Sequence, residues 1–568
     1  MKSISLILVI AIALFLSGYK SGDRSKMAEI RINQLGYYPK AVKKVIVANT
    51  SARTFQITDT SGNVVYSGNL SQPVFWDKSG EKLCMADFSA LTIQGTYFFK
   101  VEDASEPSKF SIKTNLYNDA FKAVLKNYYF QRSGMALEEK YAGKWNRPSG
   151  HPDTSCYFHP SALRGVGKMS SPKGWYDAGD DNKYVVNAGV SVGTILNLYE
   201  MVPSLVPDGF TNIPESGNKI SDLLDEIKYE LDWVLTMQTP DGGSNMKLTS
   251  KNFTGFIMPA DDTTSRFVVG KGTGPSLNFA AMTAQAARIY KNIDTEFSKK
   301  CITAAEKAWN WSVKNPNVIY KNPSDIFTGE YGDRNFEEEF WWAACELYIS
   351  TGKPIYLEFF NKNKPFARLN VGESWRGFIG NLGSFSLLLQ NKGVPEELKT
   401  NVKSAVIRLA DSLLVKQNSN PYRIFLDNFQ WGSNSDILNS AMVFAYGYKL
   451  TGDVRYLDGI LETTDYIFGK NATGYSFVTG FGSKSPMHIH HRASGADKIE
   501  DPIPGFVVGG PNYAKQDKGN GVNYSFNEPA RSYMDVEASY ASNEICINWN
   551  APAVFVLGFI CANSDKLN

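Results

Sequence analysis

The stretch that decides the fold lies between Gly95 and Gln131. It opens as Gly95-Thr-Tyr-Phe-Phe-Lys-Val101 and closes as Leu116-Tyr-Asn-Asp-Ala-Phe-Lys-Ala-Val-Leu-Lys-Asn-Tyr-Tyr-Phe-Gln131. The first part belongs to a region with a period of two, which sends side chains to alternate faces of a strand. The second spaces its apolar residues by three and four, which lines one side of a helix. The chain therefore changes architecture near residue 115.

Working back from this point, residues 28–113 carry further short alternating runs. Lys44-Val-Ile-Val-Ala48, Thr54-Phe-Gln-Ile-Thr58 and Val64-Val-Tyr66 are separated by turn signals such as Ser61-Gly62-Asn63. Several short strands at this spacing predict a small β-sandwich. Working forward, helical periodicity recurs at 116–131, 185–201, 218–237, 276–292, 297–313, 336–351, 354–362, 379–391, 395–415, 435–450, 454–468 and 541–561. Glycine- and proline-rich loops at 142–183, 239–275 and 470–535 separate some of them. Loops of that length inside a compact domain usually carry function. About a dozen helices with long loops between them predict a barrel of helical hairpins with a cleft at one end, spanning 115–565.

The 568 residues carry 59 Lys and Arg against 57 Asp and Glu, a net charge of +2. That balance leaves no surplus to neutralise phosphates, so nucleic acid is not an expected partner. A monomer is expected. Residues 1–18 read as an export signal: Lys2, an apolar run from Ile4 to Leu16, then Ser17-Gly18. The pattern is lipoprotein-like, but Tyr19 stands where a lipid-bearing Cys would be. Cleavage with export, or tethering by the uncleaved segment, are both open. The six cysteines are scattered with no Cys-x-x-Cys pair. A domain of this size needs no staples, so buried free thiols are expected more than disulfides.

Two acidic groups stand out. Gly174-Trp-Tyr-Asp177-Ala-Gly-Asp180 sets two carboxylates three residues apart around small residues that allow a tight turn. Such a pair can share one water and raise the basicity of one member; alternatively Asp180 or Asp181 caps the helix that begins near Tyr184. Tyr533-Met-Asp535-Val-Glu-Ala-Ser-Tyr540-Ala-Ser-Asn543-Glu544 places two more carboxylates beside tyrosines, just ahead of an apolar helix. Glu544 reads either as a half-buried acid of raised pKa or as a helix-start residue that complements the dipole. Carboxylates on distant segments flanked by aromatics suit glycosidic hydrolysis, where an acid protonates the leaving oxygen and a base activates water. Aromatic residues are 13% of the chain. Tyr540 and Trp431 are the candidate faces for sugar stacking. Three of the five histidines fall in Met487-His488-Ile-His490-His491-Arg492. A cation there would meet Arg492, so His490, His491 and Arg492 read better as partners for sugar hydroxyls.

These motifs resemble glycoside hydrolase family 9, the inverting cellulases and related β-glucanases. Ser476 to Arg492 is similar to the family's first signature, and Tyr533 to Ala551 to its second, departing only at Cys546, where Ser, Thr or Ala is usual. Gly174 to Asp180 resembles the base-bearing loop. Ile32-Asn-Gln34-Leu-Gly36-Tyr37 resembles the start of the family's immunoglobulin-like N-terminal domain. The resemblance implies an (α/α)6 barrel behind an immunoglobulin-like sandwich. It implies Asp180 as general base, Asp177 as its helper in holding water, and Glu544 as general acid. His490 and Arg492 would bind the sugar, and Asp535 would orient the cluster. It implies an endo-β-1,4-glucanase that needs no cofactor. Xyloglucan, mixed-linkage glucan and exo action are the alternatives within the class, and a silent glycan-binding protein the alternative outside it. Four positions that hold a structural zinc in many relatives are Ser133, Gly150, His151 and Tyr176 here, so zinc is not expected. The 328–339 segment, Thr328-Gly329-Glu330-Tyr331-Gly332-Asp333 with Glu338 and Glu339, resembles a calcium loop, or is a solvated acidic turn.

Overall fold

A computed structural model describes residues 27–363, 369–372 and 374–568. The expected export segment and Tyr19 lie outside the described residues.

Eight strands come first: β1 (Glu29–Arg31), β2 (Lys44–Ala48), β3 (Thr54–Thr58), β4 (Val64–Asn69), β5 (Val74–Trp76), β6 (Glu81–Asp87), β7 (Gly95–Lys100) and β8 (Ser108–Ile112). They form two antiparallel four-stranded sheets, ordered β1-β2-β6-β5 and β4-β3-β7-β8. The alternation read from sequence sets the inner faces. Val45, Val47, Phe55, Ile57, Phe99 and Phe110 meet in one core between the sheets.

Among the described residues, twelve longer helices follow: α1 (Asn118–Phe130), α2 (Val185–Met201), α3 (Asp222–Val234), α4 (Thr273–Tyr290), α5 (Thr295–Lys314), α6 (Glu337–Thr351), α7 (Ile355–Asn363), α8 (Ile379–Leu389), α9 (Glu396–Ser419), α10 (Ser433–Thr451), α11 (Val454–Ile467) and α12 (Ile547–Ala562). Every helix expected from periodicity is present. The even-numbered helices are buried on nearly every side; α12 is buried at every residue from Ile547 to Ile560. Odd-numbered helices such as α5 and α9 bury one stripe only. A helix apolar all round belongs in a core and an amphipathic one over it, so the even helices form an inner ring and the odd ones an outer ring. Inner neighbours pack as α12 on α2, α2 on α4, α4 on α6, α6 on α8 and α10 on α12. The ring closes where Phe385 of α8 stacks on Tyr446 of α10, with centroids 3.9 Å apart. This is an (α/α)6 barrel.

The sandwich is locked to the barrel through α11. Asn33 Nδ2 donates to Asp465 Oδ1 and to the Tyr117 hydroxyl, both at 2.7 Å, and Lys44 Nζ pairs with Glu462 at 2.5 Å. None of the six cysteines is paired, and five are buried.

Two features were not legible in the sequence. The loops at 142–183 and 239–275 contain five short strands, β9 (Cys156–Phe158), β10 (Lys168–Met169), β11 (Lys183–Tyr184), β12 (Lys247–Thr249) and β13 (Phe267–Val269). They pair in the order β10-β9-β13-β12-β11 and so make a small sheet that leads into α2. The last helix also starts later than its apolar run suggests. Tyr540–Asn543 is one separate turn, Glu544 has extended backbone, and Cys546 is the residue before α12.

Candidate active site

The Asp177–Asp180 loop lies between α1 and α2, and Glu544 precedes α12, which packs on both. Backbone bonds lace the two segments together. Ala178 bridges to Cys546, Ile547 N–H donates to Asp177 O at 2.8 Å, and Arg492 N–H donates to Gly179 O at 3.0 Å. His490 bridges to Glu544. The approach demands glycine at 179, since a Cβ there would stand 2.2 Å from the His490 carbonyl oxygen.

Neither acidic group is a helix cap. The residue before α2 is Tyr184, with no side-chain cap. Glu544 is outside the first turn of α12. Asp180 instead accepts at Oδ2 from Asn182 Nδ2, from Asn182 N–H at 3.3 Å and from the Tyr184 hydroxyl at 3.4 Å. Asp177 is fully buried. It accepts from Asn187 Nδ2 at 2.8 Å, from the Tyr331 hydroxyl at 2.8 Å and from Cys546 Sγ at 3.8 Å. Burial first, and the charge of Asp180 second, hold the Asp177 carboxyl well above the usual range, against these three donors. Burial, then Asp180, likewise raises Glu544 far above an ordinary carboxyl; Arg492 and the Gly179 N–H oppose this. Burial thus favours the protonated form of Glu544 beside a carboxylate pair.

His490 Nδ1 lies 2.7 Å from Glu537 O. A carbonyl only accepts, so Nδ1 carries the proton. Burial lowers this imidazole to about 4, so Nε2 keeps a lone pair near neutrality. Its ring meets Phe256 edge-on at 5.2 Å and Tyr540 at 6.0 Å. Tyr540 in turn lies 5.6 Å from Trp431, which is 38% exposed. These rings form one aromatic strip beside Glu544. Arg492 Nε donates to Thr254 O at 2.9 Å and its guanidinium lies over Phe253 at 5.3 Å. Asp535 accepts from Met487 N–H and His488 N–H, both at 2.9 Å, and from Asn543 Nδ2 at 3.1 Å. It orients the histidine segment and is spent on that task. His491 faces the other way: its ring is buried on Phe506 at 5.0 Å and its Nδ1 is bonded to Ser494.

Asn182, Asn187, Tyr331, Phe253 and Phe256 belong to the site and were missed. Asn182 is two residues from its partner Asp180 and Asn187 ten from Asp177, whereas Tyr331 is 154 residues from Asp177, so a local signal existed only for the two asparagines.

The four zinc positions are committed to other bonds. His151 spends Nδ1 on the Tyr176 hydroxyl at 2.8 Å and Nε2 on Asp262 at 3.0 Å. Ser133 Oγ donates to His151 O at 3.2 Å. Ser133, Gly150 and Tyr176 supply neither thiolate nor imidazole, so these four residues do not make a tetrahedral zinc set; His151 does lie with Asp181 and Asp262 in a group whose ligand atoms could meet on an ion. Asp333, Glu338 and Glu339 do fit a hard cation: their oxygens cluster, and Asp333 Oδ2 and Glu339 Oε2 are buried without a partner.

An (α/α)6 barrel with laced acidic segments, a neutral imidazole and an aromatic strip at one end defines a glycoside hydrolase. The chain belongs to glycosyl hydrolase family 9, whose family model matches residues 117–557. The cellulase N-terminal ig-like domain matches residues 25–106. A relative from Bacteroides ovatus, a xyloglucan-specific endo-β-1,4-glucanase, is 42% identical over 552 residues, 92% of each chain. Endoglucanase D of Acetivibrio thermocellus is 34% identical over 550 residues, 95% of this chain and 84% of its own. A solved Bacteroides ovatus family 9 structure superposes with a TM-score of 0.86 at 40% identity, over 94% of this chain and 99% of the other.

Proposed function

We propose that the chain is an exported endo-β-1,4-glucanase that hydrolyses β-glucan with inversion. Glu544 gives its proton to the leaving glycosidic oxygen as that bond breaks. Asp180 takes a proton from a water that attacks the anomeric carbon from the opposite face, and Asp177 holds the same water. His490 Nε2 and Arg492 bind hydroxyls of the sugar at the scissile bond, while Tyr540 and Trp431 stack on neighbouring rings. The products leave with Glu544 ionised and Asp180 protonated, and exchange with solvent resets both.

The observation that carries this reading is the double use of Gly179. Its carbonyl accepts from Arg492 N–H, and its Cα packs against the carbonyl of His490, the residue bridged to Glu544. Base loop, sugar-binding segment and acid are therefore three segments paired backbone to backbone, which fixes the carboxylates relative to one another. NMR of fresh hydrolysate tests it: the α-anomer should appear first from a β-linked glucan. The β-anomer first would mean retention and sink the assignment.

The name of the Bacteroides ovatus relative supports a second reading, xyloglucan as the preferred β-1,4-glucan. Product profiling on cellulose, xyloglucan and mixed-linkage glucan separates the two and distinguishes endo from exo action. A silent binder would release no reducing sugar from any of them. Asp333, Glu338 and Glu339 would hold a calcium ion that braces α6; zinc is not required.

A further inference from the structure

Lys247 is the first residue of β12 and is fully buried. A buried ammonium costs several kcal/mol unless its protons are all bonded, so its partners indicate what it holds. Nζ lies 2.8 Å from Asn322 Oδ1, 3.0 Å from Thr328 Oγ1 and 2.7 Å from Gly329 O, with Thr328 O further off at 3.4 Å. All four oxygens belong to the 322–329 loop and none is a carboxylate. Burial lowers this amine to about 7, opposed by Asp180 and Glu330, the charges that face it at longer range; three close acceptors for three protons favour the ammonium, and the rings beside it are Tyr184 and Tyr320. A positive centre ringed by neutral oxygens is how a bound cation orders a loop.

The clamped loop touches both carboxylates of the base motif. Gly329 N–H donates to the Tyr184 hydroxyl at 3.1 Å, and that hydroxyl donates to Asp180. Two residues on, the Tyr331 hydroxyl donates to Asp177 at 2.8 Å. Tyr331 sits at φ 47°, a left-handed conformation that a tyrosine rarely holds. Such strain persists only where the surroundings over-determine it. Asn322 adds to the hold, with its Nδ2 on Thr328 O and its N–H on Glu330.

We infer that Lys247 is a positioning residue for water activation: its ammonium acts as an internal cation that clamps the 322–329 loop so that Tyr331 and Tyr184 reach Asp177 and Asp180. This rests on the assignment of Asp180 as base. It predicts that Lys247 works through Tyr331 and never touches substrate.

The test is a double-mutant cycle of Lys247→Met and Tyr331→Phe in the full-length enzyme with calcium in excess, assayed on soluble β-glucan. Each single change should lower kcat by about 10- to 100-fold with KM within about threefold, and the double variant should fall little below the worse single. Multiplying losses, a loss carried by KM, or wild-type kcat in Lys247→Met would overturn the inference. Should Lys247→Met not fold, Asn322→Ala removes one acceptor, and its cycle with Tyr331→Phe measures the same coupling, with the same outcomes for and against. Asp180→Asn in the same assay separates the two levels. If it turns over normally, the base assignment is wrong; if it is inactive while the cycle is multiplicative, only the role of Lys247 fails.

Discussion

Cys546 Sγ lies 3.8 Å from Asp177 Oδ2, so a thiol from the segment before α12 touches a buried carboxylate of the Asp177–Asp180 loop. Sγ is also 3.9 Å from Asn187 Nδ2, which donates to the same carboxylate. A thiol is a weak donor, so it fills the space and lets Asn187 and Tyr331 set the carboxylate. Cys546→Ala should keep kcat within about threefold, because the contact is mainly volume. Cys546→Leu should lower kcat at least about tenfold by overpacking against Asp177. Equal kcat for the two variants would refute this. The native thiol should also resist Ellman's reagent, since burial raises it far above an ordinary cysteine.

Glu544→Gln should abolish hydrolysis of unactivated glucan and spare aryl glycosides with very good leaving groups, which need less acid help. Wild-type rates on both substrates would remove Glu544 as the acid.

The same substitution makes a stability prediction whose sign follows from linkage. Glu544 has its folded pKa raised above the unfolded value. Its contribution is fully present below the ordinary carboxyl pKa of about 4.3 and is lost as pH rises through the folded pKa. Glu544→Gln should therefore melt higher than wild type on the alkaline side, with the gap closing as pH falls toward about 4. Parallel melting curves across pH would contradict the buried-acid reading.

Gly179→Ala should be disabling out of proportion to its size. The added Cβ meets the His490 carbonyl, which must move and carry Glu544 with it. A loss of at least about 100-fold in kcat/KM is expected from misplacement of that order. Gly255, where a Cβ meets nothing within 4 Å, is the control: Gly255→Ala should be silent. Near-normal activity in Gly179→Ala would show that the lacing is not required.

Zinc chelation should leave the melting temperature unchanged, because Ser133, Gly150 and Tyr176 replace three of the four zinc ligands beside His151. EGTA should lower it, by exposing Asp333, Glu338 and Glu339 to one another; Glu338 is pushed up to about 7 chiefly by burial, and Glu339 is raised further. Stoichiometric zinc in the purified protein, or no response to EGTA, would overturn the respective halves.

The two architectures and the helices of the barrel were legible in the chain, because periodicity is local: a strand shows its inner face every second residue and a helix every third or fourth. So were the candidate carboxylates, since Asp177, Asp180, Asp535 and Glu544 sit in motifs long enough to recognise. Which of their neighbours do chemistry depended on how the chain packs. His490 and His491 are adjacent in sequence, yet one lines the strip with Phe256 and Tyr540 while the other is buried on Phe506, because extended backbone sends successive side chains to opposite sides. Lys247 gave no local signal, and Tyr331 stood out only as part of the acidic 328–339 segment. Their roles arise only when contacts spanning 154 and 82 residues of chain close loops over the Asp177–Asp180 turn, and a contact between distant segments leaves no period in the chain to read.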